Sequence, residues 1–211
     1  MPSRFFVTGT DTGIGKTVAS ALLCAALDAI YWKPIQTGSR EGTDRATVMR
    51  LARLPRERTI PETYCFAPPV SPHLAARRAR TRIDLKKIEL PSLRRDENVI
   101  VEGAGGVLVP INEGQLMTHV MRRLKLPVLL VARSSLGTIN HTTLSLAALR
   151  MAGLEVRGVI MVGKPNVENR KAIEHYGKVA VLGMIPVLSR ISRRALMQTF
   201  RQYFDYRAFA Q

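Results

Sequence analysis

The sequence predicts an α/β fold in which a mostly parallel sheet is covered by helices on both faces. Two features lead there. Short runs of β-branched and aromatic residues recur along the chain, each followed by a stretch with helical spacing. The two kinds of stretch alternate throughout, with no internal repeat, low-complexity run or linker. That pattern predicts a parallel sheet buried on both sides and one domain over residues 1–211.

The first strand sets the chemistry. Arg4-Phe5-Phe6-Val7-Thr8 runs into Gly9-Thr10-Asp11-Thr12-Gly13-Ile14-Gly15, and a helix opens at Lys16-Thr17 and continues to Leu27. Strand, glycine-rich turn and helix in this order form a phosphate-binding P-loop. Turn N–H groups wrap the phosphates, Lys16 reaches the β/γ-phosphates and the Thr17 hydroxyl can hold Mg²⁺. Gly9 and Gly15 enclose five residues where the standard pattern has four. The fold class is therefore a P-loop NTPase fold.

Length and composition bound the rest. The 211 residues suffice for a core without metal or disulfide staples, and 46% apolar with 23% charged residues is a globular composition. No apolar run approaches the roughly 20 residues that span a bilayer, and the first strand starts within four residues. The sequence thus predicts no membrane span, no signal peptide and a cytoplasmic protein. Cys24 and Cys65 lack metal-site spacing, and Cys24 reads as a small buried hydrophobe. The net charge of +16 is large, but its arginines and lysines are scattered, without a dense helical stripe or interleaved aromatics. They read as a solvated surface, and nucleic acid is not the expected partner.

In chain order, Tyr31-Trp32 forms a short strand that Pro34 and Gly38 end in a loop, which places Lys33 at the carboxyl edge of the sheet near the P-loop. Thr43 is an N-cap, and residues 44–54 form a helix with Asp44 in its first turn. Asp44 reads either as a helix-dipole partner or as a Mg²⁺ ligand. Five prolines make 55–72 a long irregular connection, after which Ser71-Pro72-His73 starts a short helix, with His73 a cap or loop hydrogen-bonder or a site residue. An amphipathic stretch follows over 85–93. Val99-Ile100-Val101-Glu102 is a buried strand ending on a carboxylate, then Gly103-Ala104-Gly105-Gly106 turns. A carboxylate there needs a cation beside it, which points to a metal or water-positioning role for Glu102. Strands at 126–132, 156–162 and 180–186 alternate with helices at 138–151, 167–176 and 193–204. The start of the 138–151 helix can receive a carboxylate.

Together these segments resemble the dethiobiotin synthetase family over nearly the whole length. The resemblance rests on the extended P-loop, Lys33-Pro34-Ile35-Gln36-Thr37-Gly38, Ser71-Pro72-His73, Val101 to Gly106, and Gly137-Thr138-Ile139-Asn140-His141, in that order. It implies an ATP- and Mg²⁺-dependent ligase that joins CO₂ or bicarbonate to 7,8-diaminononanoate. Implied catalytic residues are Lys16 and Lys33. Implied nucleotide contacts are Gly13, Ile14, Gly15, Lys16, Thr17, Val18, Asp44, Glu102, Gly103, Ala104, Gly105, Pro186, Val187 and Leu188. Thr17, Asp44 and Glu102 are the implied metal ligands. Thr12, Lys33, Thr37, Gly137, Thr138 and Asn140 are the implied substrate contacts, the last three from the partner subunit of a homodimer.

The chain departs from the family pattern in three places. Gly13 stands where some members carry an acid. Met161-Val162-Gly163-Lys164 stands where an Asn commonly reads adenine, so base recognition is expected from backbone groups. The Asp28-Ala29-Ile30 connection is short. The main rival is a partition-type ATPase that binds nucleic acid. Such proteins place an extra lysine early in the loop, where this chain has Asp11. A related amide-forming ligase would need a glutamine-handling domain, for which the chain lacks length and motif.

Overall fold

The structure, a computed structural model, describes residues 2–209. In chain order it runs β1 (Arg4–Gly9), α1 (Lys16–Leu27), β2 (Ile30–Trp32), β3 (Ile35–Gln36), α2 (Asp44–Ala52), β4 (Thr59–Ile60), β5 (Tyr64–Cys65), α3 (Pro72–Arg78), β6 (Val99–Glu102), α4 (Met117–Leu124), β7 (Val128–Arg133), α5 (Thr138–Met151), β8 (Val156–Val162), α6 (Val167–Gly177), β9 (Val181–Ile185) and α7 (Arg193–Tyr203). The main sheet has seven strands in the order β4-β2-β6-β1-β7-β8-β9, and each neighbouring pair is parallel. β3 and β5 make a separate parallel pair.

The pleat sorts the core. Phe5 and Val7 of β1 face one layer with Tyr31, Ile100, Leu129 and Ile160, against α1, α2 and α7. Phe6 faces the other with Trp32, Val101, Leu130 and Met161, against α3, α4, α5 and α6. Strands buried on both faces explain the continuous apolar runs in the sequence. β1 lies between β6 and β7, so the chain must cross over it to pass from one half of the sheet to the other. This switch opens a crevice at the carboxyl end of β1, where the P-loop lies.

Three expectations change. The 55–72 connection holds β4 and β5, each only two residues long, and β4 extends the main sheet beyond β2. The 85–93 stretch is not a helix beyond a 3₁₀ turn at Leu85–Lys87. Arg123 donates to the carbonyls of Lys86 and Ile88, replacing a helical ladder, and Pro91 follows. α4 was not anticipated, although Met117, Val120, Met121 and Leu124 carry helical spacing and three of them are fully buried. Among the described residues, no helix is long and apolar enough to cross a membrane.

Candidate active site

The site is built at the end of β1. Gly15 caps α1 with φ 98°, in the left-handed region, and a Cβ there would lie 3.0 Å from Val162 Cγ1. Only glycine fits that turn without strain. Ile14 is buried beneath the loop and fills the space above Gly9, so only its backbone can face a phosphate. Lys16 folds back to donate 2.7 Å to the carbonyl of Asp11. Burial lowers its pKa to about 8, with the neighbouring Lys33 acting in the same direction and Glu102 opposing.

Three further segments converge on the loop. Thr17 Oγ1 lies 2.9 Å from Asp44 Oδ1 and 3.0 Å from Glu102 Oε1. The Lys33 ammonium pairs with Asp44 Oδ2 and, at 3.1 Å, with Glu102 Oε1. Burial alone would lower the Lys33 pKa, but the two carboxylates outweigh it and raise it. Burial likewise would raise Asp44, yet the Lys33 charge and hydrogen bond hold it below the ordinary value. Glu102 is 1% exposed, and a buried carboxylate is stable only with such partners. Its Oε2 accepts from the Tyr31 hydroxyl at 3.0 Å.

Local sequence explains the convergence. Thr43 caps α2 by accepting from the Ala46 N–H, and Gln36 Oε1 accepts from the Asp44 N–H at 3.0 Å. Asp44 is thus held at the helix start, where the dipole also favours its charge. The result is a polar cavity of about 350 Å³ at the P-loop, with Thr12, Lys16, Thr17, Lys33, Asp44 and Glu102 on its wall. Two carboxylates, two threonine hydroxyls and two lysines give a site that can neutralise a polyphosphate and hold a hard cation. The donor set fits Mg²⁺, which takes oxygen ligands and keeps several waters. The Lys33 ammonium sits between the same two carboxylates, which marks the place as one built for positive charge.

Comparison with known proteins agrees with this chemistry. A family model described as an AAA domain matches residues 3–195. The ATP-dependent dethiobiotin synthetase of Nitrobacter hamburgensis is 46% identical, covering 97% of this chain and 95% of its own. This chain belongs to the ATP-dependent dethiobiotin synthetase family. The corresponding synthetase of Paramagnetospirillum magneticum is 52% identical over 89% of each chain. A bifunctional biotin biosynthesis protein of Bordetella avium is 51% identical over 92% of this chain, which spans 42% of that longer protein. Among solved structures, the MinC:MinD complex of Aquifex aeolicus aligns with TM-score 0.55 at 14% identity, covering 95% of each chain. A ParA family ATPase from Chlorobium tepidum gives 0.53 at 12%, covering 93% of this chain and 90% of its own. Those two likenesses concern the fold alone.

Not every position implied by the dethiobiotin synthetase resemblance lies at the cavity. Gly13, Gly15, Val18, Thr37, Ala104 and Gly105 line it. Gly103 is adjacent, with its Cα against the Phe6 ring, where a Cβ would come within 2.9 Å of Cε1. Pro186, Val187 and Leu188 follow β9, whose end accepts the Gly163 N–H at Ile185, so they stand on the β8 side of the loop. Gly137, Thr138 and Asn140 form the start of α5 and do not line this cavity. Thr138 is buried, and its hydroxyl donates to the Arg133 carbonyl. Its side chain therefore anchors the α5 start, while Asn140 is exposed. Tyr31 and Gln36, which hold Glu102 and Asp44, had no sequence signal beyond their place beside Lys33. Cys24 is buried, with its thiol pushed up by desolvation.

Proposed function

We propose that this chain, as a single domain paired into a homodimer, closes the ureido ring of dethiobiotin from 7,8-diaminononanoate, CO₂ and ATP in the cytoplasm. The observation that carries the reading is Lys33, buried between Asp44 and Glu102 beside Thr17 and the P-loop. One amine of the substrate adds to CO₂ and loses a proton to give a carbamate. A carbamate oxygen attacks the γ-phosphorus, and the bond to ADP breaks. The second amine then attacks the carbamate carbon, and inorganic phosphate leaves as the ring closes. Lys16 neutralises the β/γ-phosphates, and Lys33 stabilises the carbamate and the phosphoryl in transfer. Mg²⁺ held by Thr17, Asp44 and Glu102 would supply charge neutralisation on the transferring phosphoryl. Thr12 and Thr37 position the diamine.

The partner's copy of the α5 start, Gly137 to Asn140, would bind the substrate's carboxylate through exposed N–H groups and the Asn140 amide. Exposed apolar side chains support pairing through this region. Leu136 is 99% exposed, and Leu108 and Leu144 flank a separate opening beside Thr12. Purified protein should turn over ATP only when diaminononanoate and bicarbonate are both present, with dethiobiotin detected by mass spectrometry. ATP, CTP and GTP run side by side give the nucleotide preference. Substrate-independent ATP hydrolysis without dethiobiotin would overturn the reading.

A further inference from the structure

Two parts of the phosphate cavity are joined by one buried side chain. Gln36 ends β3, is 5% exposed and stands on the cavity wall. Its carbonyl accepts from the Phe66 N–H at 2.8 Å, which fixes its backbone to the 64–66 segment. Its side-chain Nε2 donates to the Thr37 carbonyl at 2.6 Å, and its Oε1 accepts from the Asp44 N–H at 3.0 Å. Both partners are backbone groups, one an acceptor and the other a donor. A single orientation of the amide therefore satisfies both, and the flipped one satisfies neither. A buried amide matched at each end holds its neighbours in one arrangement.

The amide joins the two ends of one loop. The chain leaves the cavity after Thr37 and returns to it at Asp44. Gly38 at φ 73° and Gly42 at φ 109° take left-handed backbone, and residues 40–42 are exposed. A loop of this kind has little packing of its own to fix the distance between its ends. The Gly38 and Ser39 N–H groups donate to the carbonyls of Pro68 and Phe66, which steadies the Thr37 end. At the other end, the Thr43 hydroxyl accepts from the Ala46 N–H and caps α2. Gln36 ties these two anchored ends to each other.

We propose that Gln36 is a positioning residue that sets the substrate contact and the metal ligand together, an assignment that rests on the roles given above to Thr37 and Asp44. It acts through both. Thr37 carries a contact to the diamine, and Asp44 carries one of the oxygens that suit Mg²⁺. Loss of the amide releases both ends at once, whereas loss of an ordinary helix cap loosens α2 alone.

The test uses the full chain with a non-hydrolysable ATP analogue bound. Mn²⁺ affinity is read by electron paramagnetic resonance and 7,8-diaminononanoate affinity by titration calorimetry. Gln36→Met keeps the length of the side chain and removes both hydrogen bonds. It should weaken Mn²⁺ and the diamine each by about tenfold, roughly the value of one buried hydrogen bond. Metal-free binding of the analogue should stay within about twofold, which also reports a folded P-loop. Thr43→Ala removes the other cap of α2 but leaves the amide in place, so the diamine should stay within about twofold. Gln36→Glu keeps an acceptor for the Asp44 N–H and cannot donate to the Thr37 carbonyl. Its added charge favours both cationic ligands, so Mn²⁺ affinity should return while the diamine stays about fivefold or more weaker. Should Gln36→Met lose the analogue as well, the diamine affinity of Gln36→Glu decides. Unchanged affinities in Gln36→Met, a loss confined to one ligand, an equal diamine loss in Thr43→Ala, or full diamine recovery in Gln36→Glu would each overturn the assignment. Dethiobiotin formation by wild type in the same preparations separates the two readings. If wild type makes product while Gln36→Met binds both ligands normally, only the role of Gln36 falls.

Discussion

Tyr31 donates a 3.0 Å hydrogen bond to Glu102 Oε2 across two neighbouring parallel strands. Tyr31 is in register with Ile100, so Glu102 lies two residues further along on the same face. A tyrosine is long enough to span that diagonal. The bond occupies one carboxylate oxygen and leaves the other facing Thr17 and Lys33. Tyr31→Phe keeps the ring and removes the donor. It should raise the Mg²⁺ concentration for half-maximal turnover by about tenfold and lower Tm by roughly 2–4 °C, for a loss near 1 kcal/mol. Mg²⁺ titration and calorimetry check both.

Lys33→Ala leaves Asp44 and Glu102 without the ammonium that pairs them. ATP binding should persist within about threefold, whereas product formation should fall by about 100-fold or more, the usual cost of losing a group that stabilises transition-state charge. Filter binding of labelled ATP beside product detection separates these effects. Product at near wild-type rate would contradict the role given to Lys33.

Lys16 connects pH to nucleotide binding. Its pKa is about 8 against an ordinary 10.5, so between those values the unfolded chain holds more protons and stability from this group rises with pH. A polyphosphate beside Lys16 favours its charged form. ATP binding near pH 8 should therefore take up about half a proton per site, and far less at pH 6.5. Titration calorimetry in buffers of different ionisation enthalpy measures the uptake; none at pH 8 would contradict it.

Thr43→Ala removes the side chain that caps α2 one residue before Asp44. The expected cost is about 1 kcal/mol, or roughly 2–4 °C in Tm. The Mg²⁺ requirement should move less than in Asp44→Asn, because Gln36 still holds the Asp44 N–H. Thermal melts and Mg²⁺ titrations of the two variants give the comparison.

The P-loop, the helix behind it and the acid-ended strand are local patterns, and each lies where its residues indicate. Lys33 was legible because an apolar pair before a proline ends a strand, and strand ends in a parallel sheet face the ligand crevice. Tyr31 and Gln36 were not. Their contacts join strands and loops distant in sequence, and a tyrosine in an apolar run looks like core. Residues 85–93 carry amphipathic spacing yet form only a 3₁₀ turn, because Arg123, from α4, takes the carbonyls of Lys86 and Ile88 instead.

The sequence by itself determined the fold class, the family and the presence of a nucleotide site, because these follow from periodicity and short motifs that survive without neighbours. Which face each carboxylate presents, and which side chain holds it there, was decided only by the tertiary structure. Asp44 illustrates the division. From sequence it served equally as a helix-dipole partner or a metal ligand. Packing of α2 against α1 and β2 brings it to Thr17 and Lys33, and a carboxylate's chemistry is set by the charges a few ångströms away.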